Sequence, residues 1–283
     1  MEQQEIILKA KNLVFSYDGE KKPALNGLSL EIKKGKRTAL MGANGSGKST
    51  FFLCCNGILK PKKGSLYWEG ESYSYDKKFL LDLRSKVGIV FQDPDNQLFS
   101  ASVQQEISFG PFNMGIEIEK IKEDVKLVMD DLGITPFSQK PTHALSGGQK
   151  KIVSIADILV MHPKLMILDE PQTALDPKHE DLVHEIVNRL SSQGITVLIA
   201  THDVDFAYEW ADDVILLKDG QAILQGSPEE VFSNKQVLQE TNLKVPNVLH
   251  IYQSLRESNK IAQTDFTPRN WNELEKLLHT QNC

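Results

Sequence analysis

One octapeptide constrains this chain more than any bulk property: Gly42-Ala43-Asn44-Gly45-Ser46-Gly47-Lys48-Ser49. It satisfies G-x-x-x-x-G-K-[ST], follows an apolar run ending at Met41 and opens a helix-like run from Thr50 to Ile58. Strand, glycine loop and helix in that order turn backbone N–H groups inward at the positive end of the helix, which cradles phosphate oxygens. Lys48 is placed to reach β- and γ-phosphates, and the Ser49 hydroxyl to hold Mg²⁺.

Such a loop needs a sheet behind it. Arg37–Met41, Val87–Phe91, Lys164–Leu168, Thr196–Ala200 and Asp213–Leu217 are continuous rather than alternating in their apolarity, as in parallel strands buried on both faces. Between them, Ile118, Ile121, Val125, Val128 and Leu132 recur at helical spacing over 117–132, and Gly133 supplies a stop. The pattern predicts an α/β fold with a mainly parallel core sheet. Ile6–Leu8, Leu13–Phe15 and Leu28–Ile32, broken by Asp18-Gly19 and Lys34-Gly35, read as antiparallel strands. Past residue 235 the character changes again. Val248, Tyr252 and Leu255 share a helical face, and Thr267-Pro268 reads as a helix start before Trp271, Leu274 and Leu278. The expected division is 1–234, with a helical subdomain at about 92–163, followed by an appended helical segment over 235–283.

The net charge of −6 over 283 residues gives no support for bulk binding to nucleic acid or anionic lipid. Adjacent Cys54 and Cys55 with a distant Cys283 make neither a disulfide framework nor a zinc spacing, as expected in a reducing compartment. Met1–Glu5 lacks the pattern of a signal peptide. Leu165–Leu168 and Val197–Ala200 fall far short of the ~20 apolar residues that span a bilayer. A cytosolic chain docked on something else is the expectation.

Two further segments carry chemistry. Leu165-Met-Ile-Leu-Asp169-Glu170 is an apolar strand ending in two carboxylates, at the sheet edge where open α/β folds bind ligands. Asp169 suits Mg²⁺ through its water shell, and Glu170 suits orienting and deprotonating a water molecule. Leu145-Ser146-Gly147-Gly148-Gln149 precedes the amphipathic run Lys150–Met161 and offers a second anion site at a helix start.

The ordered set of 42–49, Gln92 after a strand, Leu145–Gln149, Asp169-Glu170, Ala174-Leu-Asp176 and Thr201-His202 resembles an ABC-transporter ATP-binding subunit over residues ~5–230. That resemblance implies two cassettes meeting head to tail, each ATP lying between one chain's phosphate loop (Gly42 to Ser49, with Thr50) and the other chain's signature sequence. It implies Tyr17 on the adenine, and Ser146, Gly147, Gly148 and Gln149 closing over the partner's ATP. Gln92 would contact Mg²⁺ beside Ser49 and Asp169, His202 the γ-phosphate, and Asp176 the dimer seam; Glu170, with Lys48 and His202, would be catalytic. Phe91–Phe99, Glu106–Pro111, Asn113–Gly115 and Asn56–Pro61 resemble more narrowly the energy-coupling factor branch, which includes cobalt-, nickel- and vitamin-import ATPases. The resemblance implies a transmembrane coupling protein and a substrate-binding membrane subunit as partners, a peripheral place on the cytoplasmic face of the membrane, and a coupling surface within 92–115. It also suggests that 235–283 helps pair the cassettes, the alternative being that it packs on its own cassette.

The sequence departs from the family pattern at Gln172, where Thr is usual, and at Ser154 and Asp157, where small or basic residues are usual. Two other readings stay open: a soluble ABC ATPase acting on ribosomes or DNA, and a non-catalytic regulatory partner of another ATPase. Lys33-Lys34, Lys36-Arg37 and Lys60, Lys62 and Lys63 sit at turns, where solvated charge is the ordinary reading.

Overall fold

The structure, a computed structural model, describes residues 5–261 and 266–281. Its strands are β1 (Ile6–Phe15), β2 (Leu25–Lys33), β3 (Arg37–Met41), β4 (Lys63–Trp68), β5 (Glu71–Ser72), β6 (Val87–Val90), β7 (Leu165–Asp169), β8 (Thr196–Ala200), β9 (Asp213–Lys218) and β10 (Gln221–Gly226). Its helices are α1 (Lys48–Cys55), α2 (Lys77–Lys86), α3 (Val103–Asn113), α4 (Ile118–Asp131), α5 (Gly147–Leu159), α6 (Pro177–Ser192), α7 (Val204–Trp210), α8 (Pro228–Ser233), α9 (Lys235–Glu240), α10 (Asn247–Glu257) and α11 (Trp271–Gln281).

The main sheet runs β10-β9-β3-β8-β7-β6, with every pair parallel except β10–β9. Its central strands are apolar at consecutive positions because both faces are covered. Ala39, Met41, Met166, Leu168, Val197 and Ile199 enter one core with α3 to α8 and the C-terminal helices. Leu40, Ile167, Leu198, Ala200 and Ile215 enter another with α1 and the antiparallel sheet β2-β1-β4-β5. Between β6 and β7 the chain leaves the sheet to form α3, α4 and α5.

The structure differs from the sequence pattern in several places, each with a local cause. Ile6–Leu8 and Leu13–Phe15 are one strand, not two. Asn12 sits at φ 50° in a bulge that shifts the register between Ala10 and Leu13, and its N–H donates to Ser29 Oγ (2.8 Å). The Lys34-Gly35 turn does not close a hairpin; it passes the chain from the antiparallel sheet to β3. On α4, Ile121, Val125 and Val128 are buried, but Ile118, at the first turn, is exposed on a groove beside Phe109 and Phe112. The last helix starts at Trp271 rather than at Thr267-Pro268, because Asn270 Oδ1 accepts the Glu273 N–H and sets the cap. Its buried face is Leu274 and Leu277, and Trp271 is exposed.

The C-terminal segment rests on α7. Val248, Leu249, Tyr252, Leu274 and Leu277 share a core with Tyr208, Trp210 and Phe232. Tyr208 Oη donates to Pro268 O (3.2 Å), Asn247 donates to both Asp205 oxygens, and Arg269 donates to the carbonyls of Tyr208 and Ala211 at the C-terminal end of α7. A guanidinium on carbonyls at a helix end is favoured by the helix dipole as well as by the hydrogen bonds. Arg269→Ala is expected to lose about 1.5–3 kcal/mol, the scale for hydrogen bonds from a charged donor. A urea midpoint unchanged from the parent would contradict this docking.

Candidate functional site

Strand order builds the site. β3, β8, β7 and β6 are neighbours and parallel, so their C-terminal ends reach one edge together. The loop after β3 carries Gly42 to Ser49, β6 leads to Gln92, β7 ends in Asp169 and Glu170, and β8 leads to His202.

In the loop, a Cβ on Gly42 would lie 2.4 Å from Leu217 O, and one on Gly47 2.6 Å from Ala24 O at φ 106°. Side chains are excluded there by backbone packed behind the loop. Gly47 caps α1 without a side-chain hydrogen bond, and no acid stands in the helix's first turn. These amides therefore remain suited to an anion. The buried Ser46 Oγ has no hydrogen-bond partner among the described residues, a further polar atom suited to one. Lys48 is buried; its ammonium donates to Gly42 O (2.8 Å) and Ala43 O (3.4 Å). Burial lowers its pKa, opposed by Glu170 and Asp169.

Glu170 is the hub of the acid cluster. Its Oε1 lies 2.5 Å from His202 Nε2 and 3.9 Å from Lys48 Nζ. Its Oε2 accepts from Gln92 Nε2 (2.9 Å) and Thr173 Oγ1 (3.4 Å). The residue holds φ 45°, a left-handed backbone that costs a side chain of this kind roughly 1 kcal/mol, while its N–H remains on Ala200 O (3.1 Å). Asp169 accepts from Ser49 Oγ at 2.6 Å. Its pKa is raised by burial, while the Ser49 bond acts the other way. Tyr17 stands at the rim, 43 % exposed, with its hydroxyl 3.2 Å from Thr50 Oγ1 and its ring edge-on to Phe15.

Ser146 to Gln149 and Asp176 form a second group. Ser146 caps α5 in a reciprocal pair with Gln149, and Asp176 caps α6. His179 joins them. Its ring is 2.7 Å from Asp176 and sits against Gly148, where a Cβ would come within 2.2 Å of a ring carbon. The His179 N–H and ring hold the Asp176 carboxyl below its usual pKa. The departure at Gln172 also has a structural place: Nε2 is 2.8 Å from His184 Nε2 on α6, and Oε1 accepts from Thr201 Oγ1 (3.5 Å), next to His202.

Sequence reasoning missed Gln97, Glu106 and Lys151. Glu106, 1 % exposed, accepts the N–H groups of Phe99 and Ser100. Lys151 is buried and donates to Phe91 O and Gln92 O; burial lowers its pKa to about 8. Gln97 accepts the Phe91 N–H and donates to Ser154 O and Asp157 Oδ2. The available signal was position: Lys151 shares a helical face with Gly148 and Ile155, a charge on an apolar stripe.

A family model for the ABC transporter matches residues 25–173. The chain is 44% identical over 257 residues to the energy-coupling factor transporter ATP-binding protein EcfA of Methanococcus maripaludis, covering 90% of this chain and 92% of that one. It is 45% identical over 256 residues to the energy-coupling factor transporter ATP-binding protein EcfA2 of Clostridium perfringens, covering 90% and 89%. Among solved structures, cbiO1 from Clostridium perfringens, part of the ABC transporter complex cbiONQ, matches with TM-score 0.74 and 44% identity over 88% of this chain and 100% of that one. The ATP-binding cassette MJ0796, dimeric in a post-hydrolysis state with ADP and Pi, matches with TM-score 0.71 and 27% identity over 78% and 99%.

Gln97 and Asp157 also line a groove of about 270 Å³ with Ile58, Leu81, Met114 and Met161. Burial pushes the Asp157 carboxyl up to about 7, against the Gln97 hydrogen bond and with Glu106 adding to the rise. The folded chain therefore keeps a proton that the unfolded chain releases near the ordinary value of 3.8. The resulting stabilisation is complete below that value and is lost as pH rises through about 7. Asp157→Asn, which does not titrate, is expected to gain in melting temperature relative to the parent as pH goes from 3 to 8 (~5 units, spanning both values). Calorimetry showing a constant difference across that range would contradict the raised pKa of the half-buried Asp157 carboxyl.

Proposed function

Because the chain belongs to the ABC transporter ATP-binding family, in its energy-coupling factor branch, we propose that it energises a membrane importer as one half of a head-to-tail cassette pair. The chain is an ATPase. The observation that carries the assignment of roles is the Glu170 carboxylate, held between His202 and Gln92 above Lys48.

In this reading the phosphates of ATP take over the Lys48 ammonium from the Gly42 and Ala43 carbonyls and accept from the α1 amides. Tyr17 stacks on the adenine. Ser49 and Asp169, a hydroxyl and a carboxylate already hydrogen-bonded, suit Mg²⁺ with Gln92 nearby. The ion, when bound, neutralises charge on the β- and γ-oxygens. Among the described residues no group of three or more His, Cys, Asp or Glu offers an all-protein cage, consistent with an ion held largely by phosphates and water. Glu170 orients the attacking water and takes its proton, and His202 steadies the γ-phosphate and keeps the base in place. Ser146, Gly147 and Gly148 meet the partner cassette's ATP, with Asp176 at the seam.

The partners proposed are a second cassette ATPase, identical or a sister subunit, a transmembrane coupling protein and a substrate-binding membrane subunit. The chain would lie peripherally on the cytoplasmic face of the membrane; among the described residues no helix is long and apolar enough to cross it. The cargo would be cobalt, nickel or a vitamin. The groove beside Gln97 and Met114, fed by the same loop as Gln92, is where the coupling protein would dock. Residues 1–234 would act as the cassette, and 235–283, braced on α7, would help to hold the pair together.

Glu170→Gln is expected to lower steady-state turnover by about 10²–10⁴-fold, the scale of a positioned base, while ATP affinity stays within a few-fold. The variant should accumulate as an ATP-bound dimer in light scattering. Parental turnover would remove Glu170 from the role of base. For the transport reading, the tagged chain is expected to bring a polytopic coupling protein and a small membrane protein out of detergent-solubilised membranes, both identified by mass spectrometry. Recovery of the chain alone, or with ribosomes, would overturn it.

A further inference from the structure

Lys151 is among the most deeply buried large side chains of the molecule, 1 % exposed; Asp93 and Asp169 act on its charge, but among the described residues its direct hydrogen bonds go to backbone carbonyls. An ammonium in that position has a substantial desolvation cost, which an apolar residue of the same volume would avoid. Its hydrogen bonds show what it holds. Nζ donates to Phe91 O (3.0 Å) and to Gln92 O (2.7 Å), the carbonyls of two consecutive residues. In an extended strand successive carbonyls point opposite ways along the pleat, so one donor cannot serve both. The Lys151 ammonium therefore matches a turned backbone at the end of β6, the turn that brings the Gln92 side chain to Glu170 Oε2 at 2.9 Å.

The other ties between α5 and this loop lie elsewhere. Gln97 holds the Phe91 N–H and Ser154 O, and Lys150 reaches the exposed Asp95 at 2.5 Å, a surface pair of little energetic weight. Lys151 is the tie at Gln92 itself. It stands on the helix that Ser146 caps, so a movement of the Ser146–Gln149 segment reaches Glu170 through one side chain and one turn of backbone.

We propose that Lys151 is a positioning residue for ATP hydrolysis, fixing the backbone of Gln92 from the signature helix and so fixing the aim of Gln92 at Glu170. This rests on the reading of Gln92 and Glu170 as working parts of the ATP site.

The test is a double-mutant cycle on the complex isolated through a tag on this chain, with ATP as the probe. Lys151→Met is expected to lower kcat by about 10-fold or more with KM for ATP nearly unchanged, since an interaction lost from the transition state alone affects kcat. Gln92→Ala should lower kcat as well. Combining the two should lower kcat no further than Gln92→Ala alone, because Lys151 acts through Gln92. Lys151→Arg, whose guanidinium can donate to both carbonyls, should restore a large part of the loss. Should Lys151→Met fail to purify, Lys151→Gln, which keeps a donor, enters the same cycle. Two results would overturn the inference separately. If the losses multiply in the double variant, Lys151 acts by general stability and not through Gln92. If Gln92→Ala alone leaves kcat at the parental value, the reading of Gln92 fails, and the inference with it.

Discussion

Parallel pairing of β3, β8, β7 and β6 is the constraint on which the site depends. Each strand is only four or five residues long and reaches the same edge, so residues separated by up to about 150 positions meet without long side chains. Glu170 touches Gln92 and His202 because each stands one or two residues beyond the end of its own strand, and it faces Lys48 because the loop after β3 returns that residue to the same edge at the start of α1. The price is that both faces of the sheet must be covered, which explains the two cores and the unbroken apolarity of the strands.

Within that frame the polar groups are placed under mild tension. Glu170 adopts φ 45° where a glycine would be at ease, and Lys48 is buried with a lowered pKa. Both costs are tolerated because the groups answer one another: the carboxylate faces the ammonium, His202 and the Gln92 amide. Lys48 and Glu170 are shielded while His202 is exposed, so removing the Glu170 charge leaves the desolvation cost of the Lys48 ammonium less well offset.

Much of this was legible in the sequence. The loop at 42–49, the strand runs at 37–41, 87–91, 164–168, 196–200 and 213–217, and the acids at 169–170 carry short-range signals, where residue type and neighbours suffice. What was not legible depends on tertiary placement. Ile118 fits the helical period of α4 yet faces a groove, because the first turn of that helix lies beyond the core. The bulge at Asn12 and the strand β4 are set by pairing partners distant in sequence, and β5 is a two-residue edge strand that exists only by pairing with β4. Trp271 is apolar and in period but is exposed at the first residue of its helix, while Leu274 and Leu277 are buried. Gln97 and Glu106 lie in segments that carry the family resemblance, but neither they nor Lys151 had a role that residue type and spacing revealed. Their partners are backbone groups of a loop, whose position no residue pattern reveals.

Apolar packing joins α5, α6 and the C-terminal segment to the sheet, and polar contacts add specific ties near the strand ends. The parallel sheet and its two cores interdigitate apolar side chains, which resist gradual deformation. By contrast, α5 is tied to the Gln92 loop by Lys151 and Gln97, α6 to the Thr201 strand end by Gln172, and Asp176 to Gly148 by His179. The C-terminal segment adds Asn247 and Arg269 to α7, whose cap Asp203 directly follows His202. Single polar contacts can be exchanged for others with little change in packing. The loops at the strand ends are thus tied to α5, α6 and α7 by polar groups that can re-partner, while the edge carrying Asp169 and Glu170 is backed by the apolar cores of the sheet.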